Sequence, residues 1–128
     1  MIRPPEPITT GIDRRRPIWV VISDLFLDTE LDEDQLREIA RVLKSSGYTP
    51  EELDWIYWRE VGPAVGGNAL SMVGIWNGFD EESLVNAILA RQRSWRRRFP
   101  SVTGYLGCRA VRNKWDRVKT LFKQQREP

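Results

Sequence analysis

Apolar positions recur along this chain at helical rather than strand spacing. After Pro17, the run from Ile18 to Asp28 places apolar side chains at 18, 19, 21, 22, 25 and 26. That is a broad stripe on one side of an α-helix, and Pro17 suits the first turn of such a helix. The β-branched cluster at 18–22 would also fit a strand. No partner strand is evident elsewhere, so the helix is preferred. A second helix is predicted over about 33 to 45, with Leu36, Ile39, Ala40 and Leu43 on one face and Gly47 as its stop. A third spans about 50 to 61, with Leu53, Ile56, Tyr57 and Val61 inward and Trp55 and Trp58 flanking them. Gly62-Pro63 and Gly66-Gly67-Asn68 interrupt the pattern, and a short helix is placed over 69–76. A fifth begins at Asp80 and carries Leu84, Val85, Ile88, Gln92, Trp95 and Phe99 along one face until Pro100 ends it. The last covers about 106 to 124, with Val111, Trp115, Val118, Leu121 and Phe122 on its apolar side.

Three of the helix starts share one design. Leu31-Asp32-Glu33-Asp34-Gln35-Leu36, Tyr48-Thr49-Pro50-Glu51-Glu52-Leu53 and Phe79-Asp80-Glu81-Glu82-Ser83-Leu84 each supply an Asp or Thr cap for free N–H groups. Each also has an apolar residue five positions before a leucine, the spacing of a hydrophobic staple. Gln35 and Glu52 complete capping boxes. First-turn carboxylates suit the positive end of the helix dipole, so these acidic clusters have a structural role before any catalytic one. The expected architecture is all-α, a compact single-domain bundle of five or six helices. Residues 1–16 are expected to form a flexible N-terminal arm and 17–124 the helical domain, with basic C-terminal helices from 91.

Composition narrows the chemistry. A chain of 128 residues fits one domain. With no histidine, Ser-His-Asp and Cys-His sites and His-ligated zinc are excluded. The single cysteine, Cys108, cannot form an intrachain disulfide and has no imidazole to activate it. Gly66-Gly67-Asn68 lacks the spacing and the Lys-Ser/Thr of a P-loop. The N-terminus has no apolar signal region, and the stretch 18–22 is far too short to span a membrane. A cytoplasmic protein without membrane contact is expected. No catalytic residue, metal or cofactor is assigned.

Charge is unevenly spread. Residues 1–90 hold 8 Lys and Arg against 16 Asp and Glu, a net −8; residues 91–128 hold 12 against 2, a net +10. Such asymmetry marks either an interaction surface or two parts that pack on each other. Within Arg93-Ser94-Trp95-Arg96-Arg97-Arg98-Phe99, the aromatics belong to the apolar stripe and the arginines to its other sides. Arg93, Arg96, Arg97 and Arg98, with Arg112, Lys114 and Lys119, form a candidate nucleic-acid surface. Bases recur all around the last helix rather than along one row, so a sequence-specific major-groove reader is poorly supported. Phosphate attraction alone would be salt-dependent.

The stretch from Arg15 to Leu31 resembles the start of a family of small bacterial proteins of unknown function. The likeness continues in Leu36 to Leu43, in Trp58-Arg59-Glu60-Val61, around Pro63 and Asn68, and in Gly74-Ile75-Trp76-Asn77-Gly78-Phe79-Asp80. It covers about residues 14 to 90 and leaves the basic segment 91–128 outside. The family implies no activity and no catalytic residues. In build it is loosely similar to bacterial immunity proteins that neutralise secreted toxins.

Asp24, Asp28, Glu30, Asp32, Glu33 and Asp34 are dense enough to raise a divalent cation site, but their spacing does not match an EF-hand loop. Asp24 and Asp28 could equally pair with Arg15 or Arg16, or stay solvated. An acidic ridge could instead fill the cationic cleft of a toxin, where charge complementarity speeds association. The expected function is a non-enzymatic protein-binding module, in its finer form an immunity or inhibitor protein. Its expected partner surface is Asp28, Glu30, Asp32, Glu33 and Asp34 with Trp55 and Trp58. The alternative is a nucleic-acid-associated protein using 91–123. Trp19, Trp76, Trp95 and Trp115 are expected to be mostly buried, and Trp55 or Trp58 to be a partly exposed contact.

Overall fold

The computed structural model describes residues 4–27, 31–65, 81–93 and 102–124. Their regular structure is helical, with no strand among the described residues: α1 (Ile8–Leu27), α2 (Glu33–Ser45), α3 (Pro50–Trp55) running into a π-helical segment (Ile56–Val61), α4 (Glu81–Arg93), α5 (Val102–Ala110) and α6 (Arg112–Gln124). The expected helix over 69–76, and Trp76, Trp95 and Phe99, lie outside the described residues. Helix α1 packs against α2, α4 and the π segment, while α6 lies along α2 and α5 on the π segment.

Local chemistry explains the boundaries of α2 and α3. Asp32 and Thr49 accept from the N–H groups of Gln35 and Glu52, and those two side chains accept in return from the cap N–H groups. Both predicted capping boxes are thus present. Helix α2 ends at Ser45, and Gly47 takes a φ of +81° that other residues rarely adopt.

Two boundaries differ from expectation. Helix α1 begins at Ile8, with a non-helical residue at Gly11, so Pro17 is interior to the helix rather than in its first turn. The stretch expected to be a free arm has work inside the bundle. Arg14 donates from Nε to Ser46 O at 3.0 Å and lies over the Tyr48 ring, and Arg15 is buried. The expected helix from 106 to 124 is two helices, α5 and α6, with a break at buried Val111. Val111 N–H still bonds to Gly107 O, and Val111 O accepts from Lys114 and Trp115, so the break costs few backbone bonds.

The π segment follows from Pro63. Proline has no N–H, and its ring collides with the carbonyl four residues back, that of Arg59. Widening the helix relieves that collision. Gly62 N–H bonds to Tyr57 O, five residues back, and the freed Arg59 carbonyl accepts from Gln92 Nε2 of α4 at 3.2 Å. Helical structure then continues through 62–65. At Gly62 the backbone meets α5 so closely that a Cβ would lie 2.5 Å from Cys108 Sγ and 3.0 Å from Tyr57 O.

The core joins every described helix. Trp19, Ile22, Leu25, Tyr57, Ile88, Cys108 and Trp115 are all fully or nearly fully buried. Tyr57 stacks on Trp115 with centroids 4.5 Å apart and planes 2° from parallel, and its hydroxyl donates to Cys108 O at 2.7 Å. Trp115 Nε1 donates to Asp54 Oδ1 at 2.8 Å. Such aromatic pairs contribute about 0.5–1.5 kcal/mol beyond area burial.

One ion pair lies inside this core. Arg15 Nε is 3.0 Å from Glu60 Oε1, with both side chains 2% exposed. Trp19 Nε1 donates to the same oxygen at 2.9 Å, and Arg15 Nη2 donates to Glu6 O at 2.7 Å. The Nε–Glu60 contact lacks hydrogen-bond alignment, so Coulomb attraction carries it. Burial pushes the Glu60 carboxyl above its ordinary value of 4.5, against the opposing pull of Arg15 and Trp19.

Removing one partner leaves the other charge stranded in the core. Arg15→Met or Glu60→Gln alone is expected to cost about 3–5 kcal/mol, and the double variant clearly less than the sum; urea unfolding of the four proteins measures this. Because the folded state holds the Glu60 proton more tightly than the unfolded chain, stability from this group rises as pH falls through the window above 4.5. The stability of the native chain minus that of Glu60→Gln should therefore grow from neutral pH towards that value. A difference that shrinks instead would mean the ion pair outweighs desolvation.

The contact at Gly62 gives a second test. Gly62→Ala is expected to destabilise by about 1–3 kcal/mol through overpacking. Adding Cys108→Ala, which removes the colliding Sγ, should recover part of that loss. Burial also pushes the Cys108 thiol up to about 12, so a thiol reagent at mildly alkaline pH should label the chain only as it unfolds.

Candidate interaction surface

The carboxylates at the start of α2 are engaged within the chain. Asp32 is the N-cap of α2. Glu33 bonds to the Arg117 guanidinium of α6, with Nε 3.1 Å from Oε2, and lies 3.7 Å from Arg37. The Arg117 hydrogen bond holds the Glu33 carboxyl below the usual carboxylate range. Asp34 meets Arg37 at 3.1 Å. Asp28 and Glu30 lie outside the described residues. No group of three or more His, Cys, Asp or Glu side chains gathers to hold a metal among the described residues, and Asp24 has an interaction of its own.

The basic helices show the other half of the same pairing. Lys119 Nζ is 3.1 Å from Asp54 Oδ1. Arg112 lies 3.8 Å from Asp116 one turn on, and Lys114 Nζ is 3.4 Å from Leu25 O. Arg16 of α1 reaches Glu81 and Glu82 of α4 at 3.2 and 3.1 Å. Arg96, Arg97 and Arg98 lie outside the described residues, as does the side chain of Arg93. In this part of the chain, the acidic and basic segments neutralise each other across helix contacts. Helix α6 engages both candidate regions, through Arg117 with α2 and through Lys119 with α3.

The two tryptophans belong to a different surface. Trp55 and Trp58 are both half-buried on the outer side of α3 and the π segment. Trp58 sets its edge against Tyr57, centroids 5.3 Å apart and planes at 87°, and meets the Tyr105 ring of α5 at 5.8 Å. Tyr105 is 51% exposed and Leu106 45%, the large apolar side chains that stand out among the described residues. The Arg59 guanidinium lies 4.8 Å from the centroid of Trp55, and that of Arg109 lies 5.9 Å from the centroid of Tyr105. Each arginine is one turn beyond its ring, so the α3–π stretch and α5 each carry an aromatic–arginine step, and the Trp58–Tyr105 contact joins them.

Tyr105, Leu106, Arg59 and Arg109 carry this face, and no sequence motif singles out the first three. The available signal is small-residue spacing. Gly104, Gly107 and Cys108 are buried where α5 meets the π segment, which turns Tyr105, Leu106 and Arg109 outward.

Trp58 and Glu60, both within the stretch Trp58-Arg59-Glu60-Val61, now have separate places: one on this face, the other in the core. Comparison with curated proteins and with solved structures found no match. A family match covers residues 13–121. It reaches residue 121, most of the way along α6, so the basic C-terminal helices are part of the shared domain rather than an extension beyond residue 90. The chain belongs to the family described as Domain of unknown function (DUF7079).

Proposed function

We propose that this chain is a non-enzymatic protein-binding module that docks through the Trp58–Tyr105–Leu106 face. One observation carries the reading: exposed Tyr105, next in sequence to exposed Leu106, meets half-buried Trp58, with Arg109 near the Tyr105 ring and Arg59 near Trp55. Trp, Tyr and Arg are the residues that most often dominate binding energy at protein interfaces. A lone exposed apolar side chain would need no explanation, but a contiguous aromatic set does. The reactive groups seen in the structure support the same reading. Cys108 is sealed in the core with its thiol pushed up, and Glu60 is occupied by Arg15 and Trp19.

In its finer form the proposal is an immunity or inhibitor protein whose partner is a secreted toxin. The small helical build and the polarised charge motivate it. The acidic ridge of α2 is a weaker anchor for such a partner than the aromatic face, because binding there would first have to break the Glu33–Arg117 and Asp34–Arg37 pairs. The nucleic-acid alternative faces the same cost at Arg112 and Lys119.

Nuclease-treated co-purification of the tagged full chain tests the reading. The expected result is one stoichiometric protein partner retained by the native chain. The Tyr105→Ala/Leu106→Ala variant should bind it at least about thirtyfold more weakly, as loss of a hot spot implies, with an unchanged melting temperature. Partners that vanish with nuclease, or retention unaffected by the double substitution, would contradict it.

A further inference from the structure

Most described arginines of this chain answer to carboxylates. Arg14 pairs with Glu6, Arg15 with Glu60, Arg16 with Glu81 and Glu82, Arg37 with Asp34, Arg41 with Glu38, and Arg117 with Glu33. Arg59 and Arg109 differ. Each lies over an aromatic ring, and among the described residues neither has a carboxylate within ion-pair distance. Both occur on the aromatic face, one on each of its two helices. A guanidinium near a ring and without a carboxylate partner keeps its planar fork of N–H donors for other acceptors. The fork geometry suits carboxylates, which it can bind with two parallel hydrogen bonds.

We propose that the face formed by Trp55, Arg59, Tyr105, Leu106 and Arg109 binds an acidic segment of a partner protein. The two guanidinium groups receive its carboxylates, and Tyr105 and Leu106 take an apolar side chain between the charged contacts. The inference rests on the protein-binding reading above and adds the chemistry of the partner. Charge complementarity selects the occupant: this face offers positive charge that no carboxylate of the described structure balances, next to exposed apolar area. Single-stranded nucleic acid fits less well. Its bases need open ring faces for stacking, and here the arginines lie over Trp55 and Tyr105 while Trp58 is packed against Tyr57 and Tyr105.

The test is selection of short peptides from a displayed random library on the full-length chain, followed by binding measurements with the synthetic peptides. The expected peptides combine Asp or Glu with an aromatic or aliphatic residue. Their affinity should fall about tenfold or more in Arg59→Gln/Arg109→Gln, and by a similar factor when their carboxylates are replaced by amides. Arg59→Lys/Arg109→Lys should lie between, since charge survives but the fork does not. All four substituted side chains are on exposed or half-exposed positions, and melting curves confirm that each variant folds. Peptides that need Tyr105 and Leu106 but ignore both arginine substitutions would overturn this inference and leave the protein-binding reading standing. Peptides that ignore Tyr105 and Leu106 as well would overturn both. Tighter binding of an oligothymidylate, lost in Arg59→Gln/Arg109→Gln, would also overturn both and make the face a nucleic-acid surface.

Discussion

Arg15 and Glu60 come from segments 45 residues apart and meet in a core that excludes water from both. Neither charge is tolerable there without the other. The pair therefore fixes how α1 lies against the π segment, and Trp19 tightens the arrangement by donating to the same carboxylate oxygen. The π segment in turn depends on Pro63, whose missing N–H frees the Arg59 carbonyl for Gln92 of α4. Its outer wall is set by Gly62, which lets α5 approach until Cys108 Sγ and Tyr57 are in contact. One buried charge pair and one widened helical turn thus place three helices at once. The position of Trp58 beside Tyr105, and with it the proposed docking face, follows from that placement.

The same logic orders the surface charge. A chain whose first part is acidic and whose last part is basic could keep the two apart as separate binding sites. Instead α6 lies along α2, with Arg117 on Glu33 and Lys119 on Asp54. An exposed pair such as Arg117–Glu33 contributes little stability, but both pairs occupy groups that would otherwise be free for a partner. Among the described arginines, Arg59 and Arg109 lie over aromatic rings rather than against carboxylates. The proposed docking face accordingly lies away from the regions of highest charge density, where the π segment meets α5.

Much of the fold was legible because local signals were strong. The caps at Asp32 and Thr49, the stop at Gly47 and the stripes of α2 and α6 rest on short-range rules, and the structure follows them. The start of α1 was hidden because Arg15 looks like a surface residue, although it stands three and four positions before Ile18 and Trp19, on the same stripe. Glu60 is its counterpart, one turn beyond Ile56 and Tyr57 on a buried face. A charged residue on an apolar stripe in each of two helices is a readable signal for a buried pair, but only when the two are considered together. The break at Val111 was not legible, since it depends on how α5 meets the π segment. The proposed docking face is hard to read from sequence for a related reason. Charge density pointed to the acidic cluster and to the arginines near residue 96, whereas exposure of Tyr105 and Leu106 depends on Gly104, Gly107 and Cys108 being packed inward.

If the proposed face is right, partners meet the junction of the π segment with α5 rather than the acidic end of α2 or the basic side of α6. Hydrogen–deuterium exchange of the full-length chain, alone and with its purified partner, reads this directly. New protection is expected in peptides covering 55–59 and 102–110. Protection confined to 32–38 or to 112–123 would contradict it.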